Sequence, residues 1–302
     1  MATYYLIYKF GLMRYLLGYF GAGETITAAL TVIGALICIV SGYLLGGLNF
    51  AIIISKKKFG VDVRDFGSGN AGMTNMHRTF GKKAGVITLV GDMGKAIVAC
   101  LIGYLLLGLL GAYIAGLFCI LGHMFPVKYK FKGGKGVAST AAVILMTTAG
   151  DPRLCFIPVV FFIVLACFIV IVLGSKFISL GSIISVLIYP LILNAFQQIN
   201  IRGLADSIEQ GLTDTAIYEL VTFHREDGFY IIIAITIMVL VVFMHRSNIK
   251  RLWEGKENKF SLHSKKTLYE EKLEKDSSDE QEKKPLSDKP DPNTSKKKKS
   301  KK

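Results

Sequence analysis

Seven long apolar stretches, almost free of charge, constrain this chain more than any other feature. They occupy residues 26–54, 84–110, 112–127, 137–150, 154–173, 177–196 and 229–244. In lipid each segment must satisfy its own backbone polar groups, so such runs become spanning helices, about 20 residues for a hydrocarbon layer of roughly 30 Å. A soluble core shows helical or strand periodicity instead. Hydrophobic residues make up 52% of the 302, and mean hydropathy is +0.46. The expectation is an all-α, polytopic integral membrane bundle of about seven transmembrane helices. Residues 137–150 are short for a span and require a thin bilayer, little tilt or help from the preceding loop.

The loops set the orientation. Lys56, Lys57 and Lys58 follow the first span at once, and the segment 128–136 is strongly basic, so both face the cytoplasm by the positive-inside rule. Residues 199–228 carry six acids against Arg202 and Arg225 and fit the outer face. The predicted topology has its N-terminus outside and its C-terminus cytoplasmic. Residues 1–25 read as an N-terminal extension, either an interfacial helix or an extra anchor, because Lys9 and Arg14 interrupt any signal-peptide core. Residues 26–260 form the membrane domain, and 261–302 a disordered, charged cytoplasmic tail. The net charge of +14 points to anionic lipid rather than nucleic acid, since residues 249–302 hold 17 Lys/Arg against 11 Asp/Glu and end in SKKKKSKK. A solvated solubilising tail is the equal alternative. The five cysteines (Cys38, Cys100, Cys119, Cys155, Cys167) lie in apolar runs without metal or disulfide spacing, which makes them packing residues.

Three polar islands interrupt this pattern. The first, Phe66 to Lys83, holds Gly67, Ser68, Gly69, Asn70, Gly72 and Asn75, followed by Arg78. Glycines let main-chain N–H groups converge on one point, and a flanking cation suits a phosphate. The literal GxGxxG here lacks the strand and βαβ unit of a dinucleotide site, and Asp92 lies inside a span, so that reading is rejected. The second island, Lys132-Gly133-Gly134-Lys135-Gly136, opens the next helix and offers bare N–H groups, a helix dipole and a point charge. Taken alone it reads better as a positive-inside flank with a glycine turn. The third is His245-Arg246-Ser247-Asn248, where positions i and i+3 place His245 and Asn248 on one helix face. An isolated histidine at a membrane edge is more often interfacial than catalytic, and the same holds for His123. On the predicted topology all three islands meet at one cytoplasmic mouth, where clustered polar groups mark function.

Taken together, the islands resemble the bacterial acyl-phosphate:glycerol-3-phosphate acyltransferase family (PlsY-type). Its motifs read GSGN-x-GATN-x-x-R, GH-x-FP…FKGGKGVA and HR-x-NI-x-RL-x-x-G-x-E. This chain has Gly67 to Asn75 with Arg78, then Gly122 to Pro126 with Phe131 to Ala138, then His245 to Ile249 with Arg251, Leu252, Gly255 and Glu257. Met73 replaces the usual alanine. The resemblance spans roughly residues 41–260 and leaves the N-terminus, the 199–228 insertion and the tail as additions.

That resemblance implies transfer of a fatty acyl group from acyl phosphate to the 1-hydroxyl of sn-glycerol 3-phosphate, giving lysophosphatidic acid and phosphate at the cytoplasmic face of a bacterial cell membrane. It implies Ser68 and Arg78 at the reacting phosphoryl and carbonyl, with His245 and Asn248 orienting the hydroxyl. Lys135 with Gly133, Gly134 and Gly136 forms the glycerol-phosphate seat, with Lys132 beside it, and Gly67, Gly69, Asn70, Gly72 and Asn75 line the first loop. His123 and Glu257 are structural. No cofactor or metal is expected. The alternative class is a transporter of an anionic solute, for which only Asp92 and Lys95 stand near mid-membrane and no inverted repeat is found. HxxxxD and DGxxAR, expected of two other classes of lipid enzyme, are missing from the sequence.

Overall fold

The computed structural model of the chain describes residues 11–151, 158–209, 214–260 and 267–282, apart from residues 14, 17, 18, 20 and 22. Among these residues there are helices and no strands. In order they are α1 (Glu24–Gly46), α2 (Phe50–Phe59), α3 (Met73–Phe80), α4 (Lys82–Met124), α5 (Val137–Ala149), α6 (Val159–Ser175), α7 (Ile178–Glu209), α8 (Asp214–Met244), α9 (Arg246–Trp253) and α10 (Leu268–Glu282). The greater part of the N-terminal extension, the turn at 152–153, Cys155 and the terminal lysine run lie outside the described residues, as do the side chains of the 199–228 insertion.

α4 is the axis of the bundle. It is a hairpin rather than a rod, because Leu107 (φ −130°, ψ 20°) and Gly108 (φ 62°, ψ −145°) break its helical geometry. The positive φ at Gly108 is one that only glycine takes freely. Past this break the two arms run back along each other with Gly103 against Gly111, where a Cβ on either would strike the other's carbonyl. α1 packs on the second arm by the same means. Gly42 and Gly46 sit against the carbonyls of Ala115 and Cys119, Gly122 against that of Tyr43, and Tyr43 Oη donates to Phe125 O at 2.7 Å. Small residues four apart allow such backbone approach, which drives helix association where lipid removes the hydrophobic drive. The core between these arms is built from Cys38, Ala96, Ala99, Cys100, Ala115 and Cys119. Many other Leu, Val and Ile side chains face outward, Val32, Leu44, Val90 and Leu191 among them, each more than 60% exposed.

Among the described residues, three helical stretches can cross a membrane by length and composition, Thr25–Phe59, Lys82–Tyr129 and Ile178–Gln198. A fourth is added if the bent pair Gly228–Met244 and Arg246–Trp253 counts as one span. Val137–Ala149 and Val159–Ser175 are shorter apolar helices.

Several expectations need adjustment. The run 26–54 is not one helix: α1 ends at Gly46, and α2 starts at Phe50 after Asn49, whose side chain accepts from Ile52 N at 3.1 Å. The turn expected near residue 111 falls at Leu107–Gly108. The insertion is helical in backbone up to Glu209 and again from Asp214. Within the tail expected to lack order, residues 268–282 form α10, and Tyr269 packs its ring against Phe59, Phe66 and Phe80.

Candidate active site

The first island folds into a loop wound around one buried amide. Gly67 and Gly69 take φ of 55° and 68°, turning the chain between a short 3-10 turn, Val63–Asp65, and α3. Asn75, 2% exposed, accepts from Ser68 N at 3.0 Å and donates to Val63 O and Phe66 O, both at 3.0 Å. A second amide, Asn49, donates to Ala71 O at 3.3 Å. Arg64 ties this loop to the next island by donating to Tyr129 O and Lys132 O. The same guanidinium holds the Asp62 carboxyl down to about 2.

The second island folds back on the end of α4. Gly133 N donates to Met124 O and Gly134 N to His123 O, both at 3.1 Å. Neither glycine has room for a Cβ: at Gly133 it would meet His123 O, and at Gly134 the His123 Nε2 and Ala71 O. These two glycines are therefore packing positions that bring the islands into contact, and neither lines the cavity described below. Gly67, Gly69 and the exposed Lys132 stand outside that lining too. Lys135 and Gly136 (φ 77°) do line it. Burial pushes the Lys135 ammonium down to about 8, with Arg251 and Arg78 adding to the shift and Glu257 opposing it.

The third island begins where α8 and α9 meet at 57°. His245 is 2% exposed, with Nδ1 2.7 Å from Val241 O. A carbonyl only accepts, so Nδ1 carries the proton and Nε2 is left with its lone pair. Burial, then the nearby Lys135 ammonium, lowers the imidazole to about 4, so the ring is neutral near pH 7. Asn248 donates from Nδ2 to Glu257 Oε1 at 2.7 Å, which turns its Oδ1 toward Lys135 Nζ, with which it is hydrogen-bonded. Glu257 also accepts from Ser179 Oγ at 2.9 Å and Arg251 Nε at 2.8 Å. Burial alone would raise this carboxyl, but those three donors hold it below the usual range.

These pieces enclose one cavity of about 530 Å³. Ser68, Arg78, Lys135, His245 and Asn248 line it, as do Asn70, Gly72, Asn75, His123 and Glu257. Arg78 has no carboxylate partner among the described residues. A wall of different character comes from α6, where Phe161, Val164, Leu165, Phe168 and Val172 face the cavity at helical spacing. In the sequence this stripe is one part of a uniformly apolar run and carries no mark of its own. Thr140 and Ser185 are likewise unmarked; they are cavity-lining hydroxyls, each 5% exposed and without a hydrogen-bond partner among the described residues.

A second polar cluster adjoins the cavity, and two of its members, Asp92 and His123, line it. Asp92, Lys95 and His123 are each at most 5% exposed, with Lys95 Nζ 2.9 Å from Asp92 Oδ1 and 2.7 Å from His123 Nδ1. Asp92 and Lys95 share a face of one arm of α4, and His123 stands opposite on the other. The lone signal in the sequence was the i, i+3 ionisable pair inside an apolar run.

The cavity can hold an anion and a hydroxyl beside Lys135, Arg78 and His245, with a long apolar group along α6. The comparisons agree with that chemistry. Residues 36–255 match the family profile of glycerol-3-phosphate acyltransferase. Enzymes of that name are 38% identical in Carboxydothermus hydrogenoformans and 34% in Finegoldia magna, each over 72% of this chain and 92% and 91% of theirs. The crystal structure of PlsY, an integral membrane glycerol 3-phosphate acyltransferase, in its glycerol 3-phosphate form is 32% identical, with a TM-score of 0.58 over 75% of this chain and 96% of that one. Its lysophosphatidic acid form gives 30% and 0.56, over 76% and 96%. With a family profile covering most of its length and relatives matched nearly end to end, this chain belongs to the glycerol-3-phosphate acyltransferase family.

Proposed function

We propose that the protein transfers a fatty acyl group from acyl phosphate to the 1-hydroxyl of sn-glycerol 3-phosphate, releasing lysophosphatidic acid and phosphate. The observation that carries this reading is the cavity itself. Cations and hydrogen-bonding groups from three distant islands share it with an apolar wall, as a substrate pair with phosphate heads and one long chain requires.

Lys135, whose direct partner is the neutral Asn248, binds the glycerol-phosphate anion. Gly136 and the first turn of α5 add a helix N-terminus. Ser68 and Arg78 contact the acyl phosphate at its carbonyl and phosphoryl oxygens, where charge builds in the transition state. His245 Nε2 accepts the hydrogen bond of the attacking hydroxyl. An imidazole with a pKa near 4 is a poor proton store, so His245 orients, and the proton ends on the departing phosphate. The new ester C–O bond forms as the carbonyl carbon–phosphate oxygen bond breaks, and no redox partner is needed. Catalysis rests on holding an already activated donor and a hydroxyl in line. Glu257 and His123 brace the loops. Thr140 and Ser185 offer further hydroxyls to substrate oxygens.

The acyltransferase domain is residues 26–260. Seven passes arise if α1, both arms of α4, α5, α6, α7 and α8 each cross a bacterial plasma membrane. The N-terminus is then outside, and the cavity and tail face the cytoplasm. On that topology the lysine run at 296–302 binds anionic headgroups of the cytoplasmic leaflet.

Purified protein supplied with glycerol 3-phosphate and acyl phosphate, acyl-CoA or acyl carrier protein thioester tests the donor. Turnover with acyl phosphate alone is the expected result. Turnover with only the thioesters overturns it.

A further inference from the structure

Lys95 takes no part in the scheme above, yet it stands where both glycine loops are supported. Its Nζ lies 3.0 Å from Gly46 O and 2.8 Å from Leu48 O, besides Asp92 and His123. Those two carbonyls border the gap between α1 and α2, where a helix end leaves its last C=O groups without intrahelical partners. The ammonium caps that broken end from a neighbouring helix. Asn49, the next residue, then reaches Ala71 O, three residues beyond Ser68. On the other side, His123 turns Nδ1 to Lys95, and its Nε2 lies against Gly134, the neighbour of Lys135. One buried charge thus has two arms, one through Leu48 and Asn49 to the Ser68 loop and one through His123 to the Lys135 loop.

We propose that Lys95 is a positioning residue that sets the separation of the Ser68 loop from the Lys135 loop, and with it the alignment of the two substrates. A side chain that only filled space here would leave the Gly46 and Leu48 carbonyls without a donor. A compact ammonium with three donors meets carbonyls and imidazole together. Asp92, the carboxylate facing it, neutralises its charge, so Lys95 orders the loops without drawing the substrate phosphate inward. Small displacements matter, because a misplacement of about 1 Å can cost a hundredfold in rate.

The inference rests on the substrate assignment of the preceding section, which turnover of acyl phosphate by the parent protein tests separately. Two variants test Lys95. Asp92→Asn/Lys95→Met removes both charges together, so neither is stranded. Both KM values are expected to rise about tenfold, the scale of one lost hydrogen bond, and kcat per folded molecule to fall as the two substrates lose alignment. A merely structural role lowers kcat with the folded fraction and leaves both KM values alone, and that result overturns the proposal. Asn49→Ser keeps a capping hydroxyl for Ile52 N but is too short to reach Ala71 O. Here the acyl-donor KM should rise more than that for glycerol 3-phosphate. An unchanged donor KM, or equal shifts in both, overturns the proposal, and this variant decides alone if the double variant does not fold.

Discussion

Two lysines in this protein, Lys95 buried and Lys135 half-buried, make opposite use of the same ammonium. Lys95, inside α4, sits 2.9 Å from a carboxylate and near two backbone carbonyls, so its charge is neutralised within the fold. Lys135, at the foot of α5, has the neutral Asn248 as its direct partner, and the nearest carboxylate, Glu257, is occupied by Asn248, Ser179 and Arg251. Its positive charge remains available to an anion in the cavity. The partner's charge, together with depth of burial, separates a lysine that builds the site from one that works in it.

The largest effect that could break this contrast concerns stability. Lys95→Met strands Asp92 in the bundle, and loss of one member of a buried pair costs about 3–5 kcal/mol. Thermal unfolding in detergent should show a marked drop in Tm for Lys95→Met and little change for Lys135→Met. The second effect is kinetic. Lys135→Met removes a charge-assisted contact worth about 1.5–3 kcal/mol, so kcat/KM for glycerol 3-phosphate should fall roughly 10- to 100-fold. Equal Tm losses in the two variants would erase the distinction.

A smaller change is expected from Glu257→Gln, which weakens the bonds that hold Asn248 and Arg251. Steady-state assays should show activity reduced about fivefold to tenfold, the range of one weakened polar contact. The mildest test is pH. With Lys135 near 8, KM for glycerol 3-phosphate should rise as the pH passes 8 and the ammonium is lost. His245, held near 4 against an ordinary value of about 6.5, stays neutral throughout that range. The unfolded chain protonates this histidine first as pH falls, so its contribution to stability is complete above about 6.5 and is lost on descent toward 4. An activity profile with an acidic limb near 6.5 that vanishes in His245→Ala would instead make His245 the general base.

Much of this was legible because lipid leaves few choices. Long apolar runs gave the helices, and the three polar islands gave residues that line one cavity. What stayed hidden involved residues distant in sequence. The break at residues 47–49 lay inside an apolar run, and its one sign was Asn49, a polar residue that burial obliges to find partners. His123 could be matched to Asp92 and Lys95 only by knowing that the chain reverses at Leu107–Gly108, which places them at one level. Gly133 and Gly134 looked like a phosphate seat because glycine serves close packing and ligand approach equally well, and only the neighbouring His123 and Ala71 decide between them. The helix α10 was hidden by its charge: Leu268, Tyr269 and Leu273 are its only apolar residues, and Tyr269 alone joins the Phe59, Phe66 and Phe80 rings.

The most direct test is a structure of this protein with glycerol 3-phosphate bound. The phosphate should lie within about 3 Å of Lys135 Nζ, taking the place of Asn248 Oδ1, while Lys95 keeps Asp92 and the two carbonyls. A phosphate bound elsewhere, with Lys135 still on Asn248, would contradict it.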